Sequence, residues 1–479
     1  MNFALAGFFR ASGSREALLV GGAAVFQNVF GLAFVIVASR ALGPSAYSDL
    51  AVLISAFLVF SIAGSGLQAA TARWVTAWSY GSRIEQVVSA GAPAARPRAI
   101  HTALGFAAAL VAVLLAVYGA GFLVREPIAG AVGADSDSAA ALLLPTVTAW
   151  GALGVLRGIV QGVGRYTLLA ATIGFEGLIR IVLAAFLLDS GLGVFGAYGA
   201  GVLSFLVLSI SLLLVLRTEV AALAKHVRGR VGSAVHSLGI AAGTLRRSGS
   251  LARERFAGPL RHDLPLSARG VLVPTLAIGC VFAAQELHII VVRHLAPAQQ
   301  AGAYAAAAVA AKSLMWLAQG LAQYVLPAAT RRYLEGTSTG SPLAHACVLQ
   351  MGATTIVLGV FALFGDTVLT LAFGPAFAAH SPPLVTLAAA MGALGLATLL
   401  ANYYLALGRA WHLVPLAATP ALAVLAGLTL AHDPRGFALV VLLLYSLLAA
   451  VLLAPAVATG RATRASSLAT MLTKRQSPR

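Results

Sequence analysis

The sequence predicts an all-α polytopic membrane protein of about twelve transmembrane helices in two parallel six-helix lobes. Three observations carry that prediction. The 479 residues are 59% apolar and only 10% charged, with a mean hydropathy of +0.90. A soluble domain carries about 25% charged residues, so a soluble enzyme, a disordered chain and a secreted disulfide scaffold are excluded. Apolar runs of about 20 residues, the length that crosses a hydrocarbon core about 30 Å thick, recur along the whole chain. Finally, a short motif returns at the same corner of each half.

The runs lie near 17–39, 49–70, 101–124, 139–160, 167–188 and 193–216, then near 271–292, 301–328, 343–364, 382–407, 411–431 and 436–458. No alternating ten-residue segments of barrel type interrupt them. The organisation reads as an N-terminal lobe (1–216), a basic linker (217–270), a C-terminal lobe (271–460) and a basic tail (461–479). Placing both termini in the cytoplasm leaves only Arg40, Arg125, Arg293 and Arg435 in outer loops, with Arg180 and Lys312 inside spans. Nearly all the other Lys and Arg then fall inside, as the positive-inside rule requires. Arg10 and Arg15 precede a first span with no clear cleavage site, which is expected to act as an uncleaved signal anchor.

The net charge of +17 follows from that topology. It points to anionic lipid headgroups and not to nucleic acid. The 54-residue linker carries ten basic residues, among them Arg228, Arg230, Arg246 and Arg247; it reads as a cytoplasmic connector leaning on lipid, or as a docking segment. Arg outnumbers Lys by 29 to 3, a composition that points to a GC-rich bacterial genome. Walker, Rossmann and His-Glu-x-x-His signatures are missing, and Cys280 and Cys347 make no metal or disulfide framework. No cofactor and no metal are expected, with coupling to protons, sodium or the membrane potential left open, and the chain is not expected to be an enzyme.

After span 1 the chain reads Arg40-Ala-Leu42-Gly-Pro44, then Tyr47, Ala51 and Val52; after span 7 it reads Arg293-His-Leu295-Ala-Pro297, then Tyr304, Ala308 and Val309. Six spans separate the copies, so the lobes share one orientation and are related by an axis along the membrane normal. Such parallel repeats fit a transporter. The major facilitator plan fits less well, because Gly66 to Trp74 lacks the acidic residue and Gly-Arg expected between spans 2 and 3.

The stretch Ser39-Arg40-Ala-Leu42-Gly43-Pro44-Ser-Ala-Tyr47-Ser-Asp-Leu50-Ala51 resembles the first loop of bacterial polysaccharide transporters. These are lipid-linked oligosaccharide flippases of the multidrug/oligosaccharidyl-lipid/polysaccharide (MOP) exporter superfamily. Leu295-Ala-Pro297, Ala301 to Tyr304 and Pro327 are similar to the family's eighth span, while Ser48 replaces its usual glycine. The resemblance implies a V-shaped bundle of the MATE type with a central cavity that opens to each side in turn. It implies movement of a prenyl-diphosphate-linked saccharide across the bacterial plasma membrane, alongside glycosyltransferases or a polymerase of the same pathway. The rival readings are an ion-coupled exporter of small compounds and a non-transporting envelope enzyme or scaffold.

Ionisable residues inside spans are costly and face a cavity or a partner. Glu176 and Arg180, four apart in span 5, share a helical face. They read either as a structural pair or as a cavity arginine for diphosphate with its counter-ion. Lys312 in span 8 shares a stripe with Trp316, Gln319 and Gln323, and no acid lies within a turn of it. An unpaired lysine there is expected to line a cavity that water or substrate reaches, the other reading being an interfacial lysine that snorkels to the headgroups. Glu286 and His288, with Gln285, lie near Arg293; the seven-residue spacing to Arg293 predicts a structural pair, and proton coupling is the other reading. Arg73 and Arg157, at inner span ends, read either as meeting an incoming phosphate at the cavity mouth or simply as topology-setting cations. Gln27, Asn28, Asn402 and Tyr403 are expected to make interhelical hydrogen bonds. Trp74 to Gln86, with Trp78, Tyr80 and Ile84, reads as an interfacial helix.

Overall fold

The computed structural model describes residues 12–88, 96–224, 268–335, 337–379, 384–431 and 433–476. Most of the linker, 225–267, lies outside the described residues, as do the side chains of Arg15, of Trp78 to Gln86 and of the tail. The rest is helical. Helix α1 (Ser12–Val88) is broken at Gly43 (φ 71°), immediately before Pro44. Glycine alone takes that backbone geometry without strain, and the proline behind it cannot continue the ladder. The first corner motif is therefore the bend between spans 1 and 2.

There follow α2 (Arg96–Leu123), the short α3 (Arg125–Val132) and α4 (Asp137–Ala140), α5 (Leu143–Gly162), α6 (Tyr166–Asp189) and α7 (Gly193–Val215). The second half holds α8 (Ala268–Leu295), α9 (Ala298–Ala311), α10 (Ser313–Leu334), α11 (Gly340–Phe373) and α12 (Pro375–Ala378). It ends with α13 (Leu384–Ala406), α14 (Leu413–Thr429) and α15 (Pro434–Gln476). Among the described residues, ten helical stretches are long and apolar enough to cross a bilayer; one, Gly22–Thr76, has 55 residues and bends at Gly43, long enough for two crossings. The apolar 17-residue α14 is shorter, and with it the count agrees approximately with the twelve expected spans.

Within the first lobe α1 packs on α5, α6 and α7; within the second, α13 packs on α10, α11 and α15, and α8 on α14. The lobes meet mainly where α1 touches α8 and α9. Van der Waals fit has to hold such helices together, because lipid tails are as apolar as leucine. Gly154, Gly158 and Gly162 form a small-residue stripe on α5 against the second arm of α1. A methyl group on them would lie 2.7 Å from the Gly64 carbonyl, 2.6 Å from the Gln68 carbonyl and 2.6 Å from Val75 Cβ. Most span hydroxyls bond the carbonyl four residues back, as Thr146, Thr354 and Thr398 do. Asn402 does the same with Thr398, whereas the Tyr403 hydroxyl reaches Thr339 beside α11.

Gly158→Ala is expected to lower stability by about 1–3 kcal/mol through overpacking. Gly151→Ala, with open space around its added methyl, is expected to change little. Thermal unfolding of both variants in detergent checks the difference.

Candidate functional site

Two buried charge clusters lie inside the bundle. The first joins α5 to α6. Helical spacing puts Thr172, Glu176 and Arg180 on one face of α6, and Arg157 projects from α5 toward it. Glu176 is 1% exposed and sits between two guanidinium groups: Arg157 Nη2 is 2.9 Å from one carboxylate oxygen, and Arg180 Nη2 bonds the other. Arg157 also donates to the Thr172 carbonyl at 2.8 Å. Its guanidinium lies 5.8 Å from the Trp150 ring centre, and that of Arg180 lies 5.4 Å from the Phe205 ring centre. The two rings touch, and the Trp150 indole N–H is anchored on the Ser61 carbonyl. Each arginine is thus held between a carboxylate and an aromatic face.

The charges in this cluster do not cancel. Two guanidiniums share one carboxylate, which leaves one positive charge over. Arg180 is the member with access: its side chain is 23% exposed, and its Nε is buried without a hydrogen-bond partner. A surplus cation in a low-dielectric interior is stabilised by an anion that reaches it.

The second cluster joins the lobes. Lys312 Nζ donates to both oxygens of Glu286, at 2.8 and 2.7 Å, and the Ser55 hydroxyl of the second arm of α1 donates to Glu286 at 3.0 Å. Here the expectation of an unpaired Lys312 is corrected. Its acid comes from the neighbouring α8 rather than from its own helix, and both groups are buried. The stripe with Trp316, Gln319 and Gln323 also fails to form one wet face. Helices α9 and α10 join at Lys312, whose backbone stays helical and whose carbonyl accepts from both Met315 and Trp316. Lys312 turns inward, while Gln319 is half-buried and Gln323 exposed.

The expected Glu286–Arg293 pair is likewise replaced. Arg293 bonds Asp135 at 2.6 Å and Asp49 at 3.4 Å, both in the other lobe. His288 Nδ1 lies 3.0 Å from the hydroxyl of Tyr304, the tyrosine of the second corner motif. Arg157 is buried in the first cluster rather than waiting at a span end, whereas Arg73 is exposed, next to the Ala72 that packs on Gly162. Sequence reasoning missed Asp49, Ser55, Trp150, Thr172 and Phe205. For Asp49 there was a signal, an acid in the first turn of an apolar run. Among the described residues no cluster of metal-ligating side chains is present.

No family model matches the sequence, and no curated protein does. Solved structures of membrane transporters match it over nearly its full length. An inward-facing multidrug-resistance MATE family transporter of the MOP superfamily aligns with a TM-score of 0.63 at 16% identity, over 92% of this chain and 96% of that one. The lipid II flippase MurJ, in an inward closed conformation, aligns at 0.56 and 11% identity, over 91% and 87%. The eukaryotic MATE transporter AtDTX14 aligns at 0.55 and 18% identity, over 94% and 96%. The chain therefore has the fold of MATE and MurJ transporters. At these identities the likeness is one of fold.

Lys312→Met leaves Glu286 buried without its cation and is expected to cost about 3–5 kcal/mol. Glu286→Gln/Lys312→Met is expected to recover most of that loss, and a double-mutant cycle on detergent melting curves measures the coupling.

Proposed function

We propose that this protein moves a prenyl-diphosphate-linked oligosaccharide across the bacterial plasma membrane by alternating access, in the assembly of cell-surface polysaccharide. The observation that carries the reading is the surplus positive charge of Arg157–Glu176–Arg180 in the first lobe. Arg180 binds the diphosphate by its fork of N–H donors, and the incoming anion competes with Glu176 for it. Arg157 keeps the carboxylate in place during the exchange. Arg73, Gln319 and Gln323, which are exposed or half-buried, contact the polar part of the cargo, while the prenyl tail stays in lipid.

Export of small cationic compounds is the rival reading. It calls for an acidic interior, whereas the first cluster carries one extra positive charge and the second is neutral. Fold likeness to drug transporters does not decide the cargo. Glu286 is the best-placed coupling carboxylate, since it touches Lys312 in its own lobe and Ser55 in the other. Glu176 and His288 are the further coupling candidates. No covalent step and no cofactor enter this scheme. Glycosyltransferases or a polymerase supply and consume the cargo on either side, and both chain termini face the cytoplasm.

Purified protein in proteoliposomes, given a panel of prenyl-diphosphate glycans, is expected to expose the glycan on the opposite leaflet. Arg180→Ala is expected to slow that step about tenfold or more, the loss of one charge-assisted hydrogen-bonding group. Wild-type protein that flips no member of the panel sinks this cargo class and raises the exporter.

A further inference from the structure

The repeated corner arginines do more than mark a repeat. Arg40, in the first lobe, reaches into the second: its Nε donates to the Ala372 carbonyl at 3.0 Å, and its Nη2 bonds the Leu371 carbonyl. Both carbonyls belong to the last turn of α11, where helical acceptors have no partner of their own and the helix dipole favours a cation. Arg293, in the second lobe, reaches into the first: it bonds Asp135 between α3 and α4, and Asp49 at the start of span 2. Asp49 in turn accepts from the backbone N–H of Asp135 at 3.1 Å, which ties the loop to the span.

The two contacts correspond in part. In a six-plus-six repeat, span 9 is the counterpart of span 3: Arg40 grips the last turn of span 9, and Arg293 grips the connection that follows span 3 together with the start of span 2. Other contacts close around them. His294 Nε2 lies 3.2 Å from the Gly130 carbonyl. Gly302 rests directly on Pro44, where an added Cβ would stand 1.9 Å from the proline carbonyl oxygen. Tyr47 packs edge-on against Phe377 of α12, 5.7 Å between ring centres.

We propose that Arg40 and Arg293 form a two-point latch that shuts this end of the bundle, and that alternating access on that side requires both to release. The positive-inside pattern places the latch on the outer face. Its halves differ in chemistry. The Arg293 half is an ion-pair network whose hold depends on charge. The Arg40 half grips backbone carbonyls, which no substitution on α11 removes. Behind the latch lies the Ser55–Glu286–Lys312 link, so opening at this end exposes that buried pair to the outside. The inference rests on alternating access and on contacts between lobes, and is independent of the cargo.

The test uses the full chain in liposomes, with Cys280 and Cys347 replaced by alanine and Ser55→Cys as reporter. A membrane-impermeant thiol reagent is added on the latch side, with no cargo present. In this background Arg40→Ala and Arg293→Ala are each expected to speed labelling about tenfold or more. Arg293→Asp is expected to act likewise, and Arg293→Asp/Asp135→Arg, which keeps the net charge of the network, to restore slow labelling. Labelling at the background rate in either alanine variant overturns the latch. Fast labelling that the charge exchange fails to slow also overturns it, since a merely misfolded lobe would behave that way. Because no cargo is present, a failure here leaves the flipping assay untouched, and the reverse holds.

Discussion

An ion inside hydrocarbon has to bring its counter-charge with it, and the architecture of this bundle turns on how that requirement is met. Glu176 is shared by two arginines, Glu286 is gripped by Lys312, and Arg293 is held by two aspartates. None of these contacts is confined to a single helix, apart from the Glu176–Arg180 half of the first cluster. Taking the ions out of water costs several kcal/mol each. Such pairs are therefore weak arguments for stability, but they allow few alternative packings. They set which helices neighbour one another and at what depth.

The positions of these clusters divide the work. Arg157–Glu176–Arg180 lies inside one lobe, so it can move with that lobe as a unit. Ser55–Glu286–Lys312 bridges the lobes at the point where α9 gives way to α10. In the proposed scheme a rocking of the lobes would part Ser55 from Glu286, whereas the first cluster, within one lobe, would persist. Close backbone approach complements the ion pairs. The glycine stripe of α5 fastens it to α1 inside the first lobe, and Gly302 brings α9 onto Pro44 between lobes. The alternating access proposed above would move the lobes about these contacts between α1, α8 and α9.

Much of the site was visible in the residues but not its wiring. Glu176 and Arg180 are four apart, so their pairing follows from helix geometry alone. Arg157 was read as a span-end cation because nothing within its own helix marks it as a partner of Glu176. Lys312 was read as unpaired for the same reason. Periodicity sees one helix at a time, and the acid that neutralises this lysine is 26 positions away on another. The stripe through Gln319 and Gln323 failed because Lys312 is bound to Glu286 inside the bundle while Gln323 is exposed. The corner motif was legible as a repeat. That its arginines clasp opposite lobes was not.

By itself the sequence determined the class of fold: an all-helical bundle, the order of its spans and the two equivalent lobes. Each of these follows from a local property, whether run length or motif spacing. Only the tertiary structure decided which buried charges pair, which remains in surplus and where the lobes are fastened. These depend on distances between helices far apart in the chain, and close-packed side chains set those distances with no trace in any single window of residues.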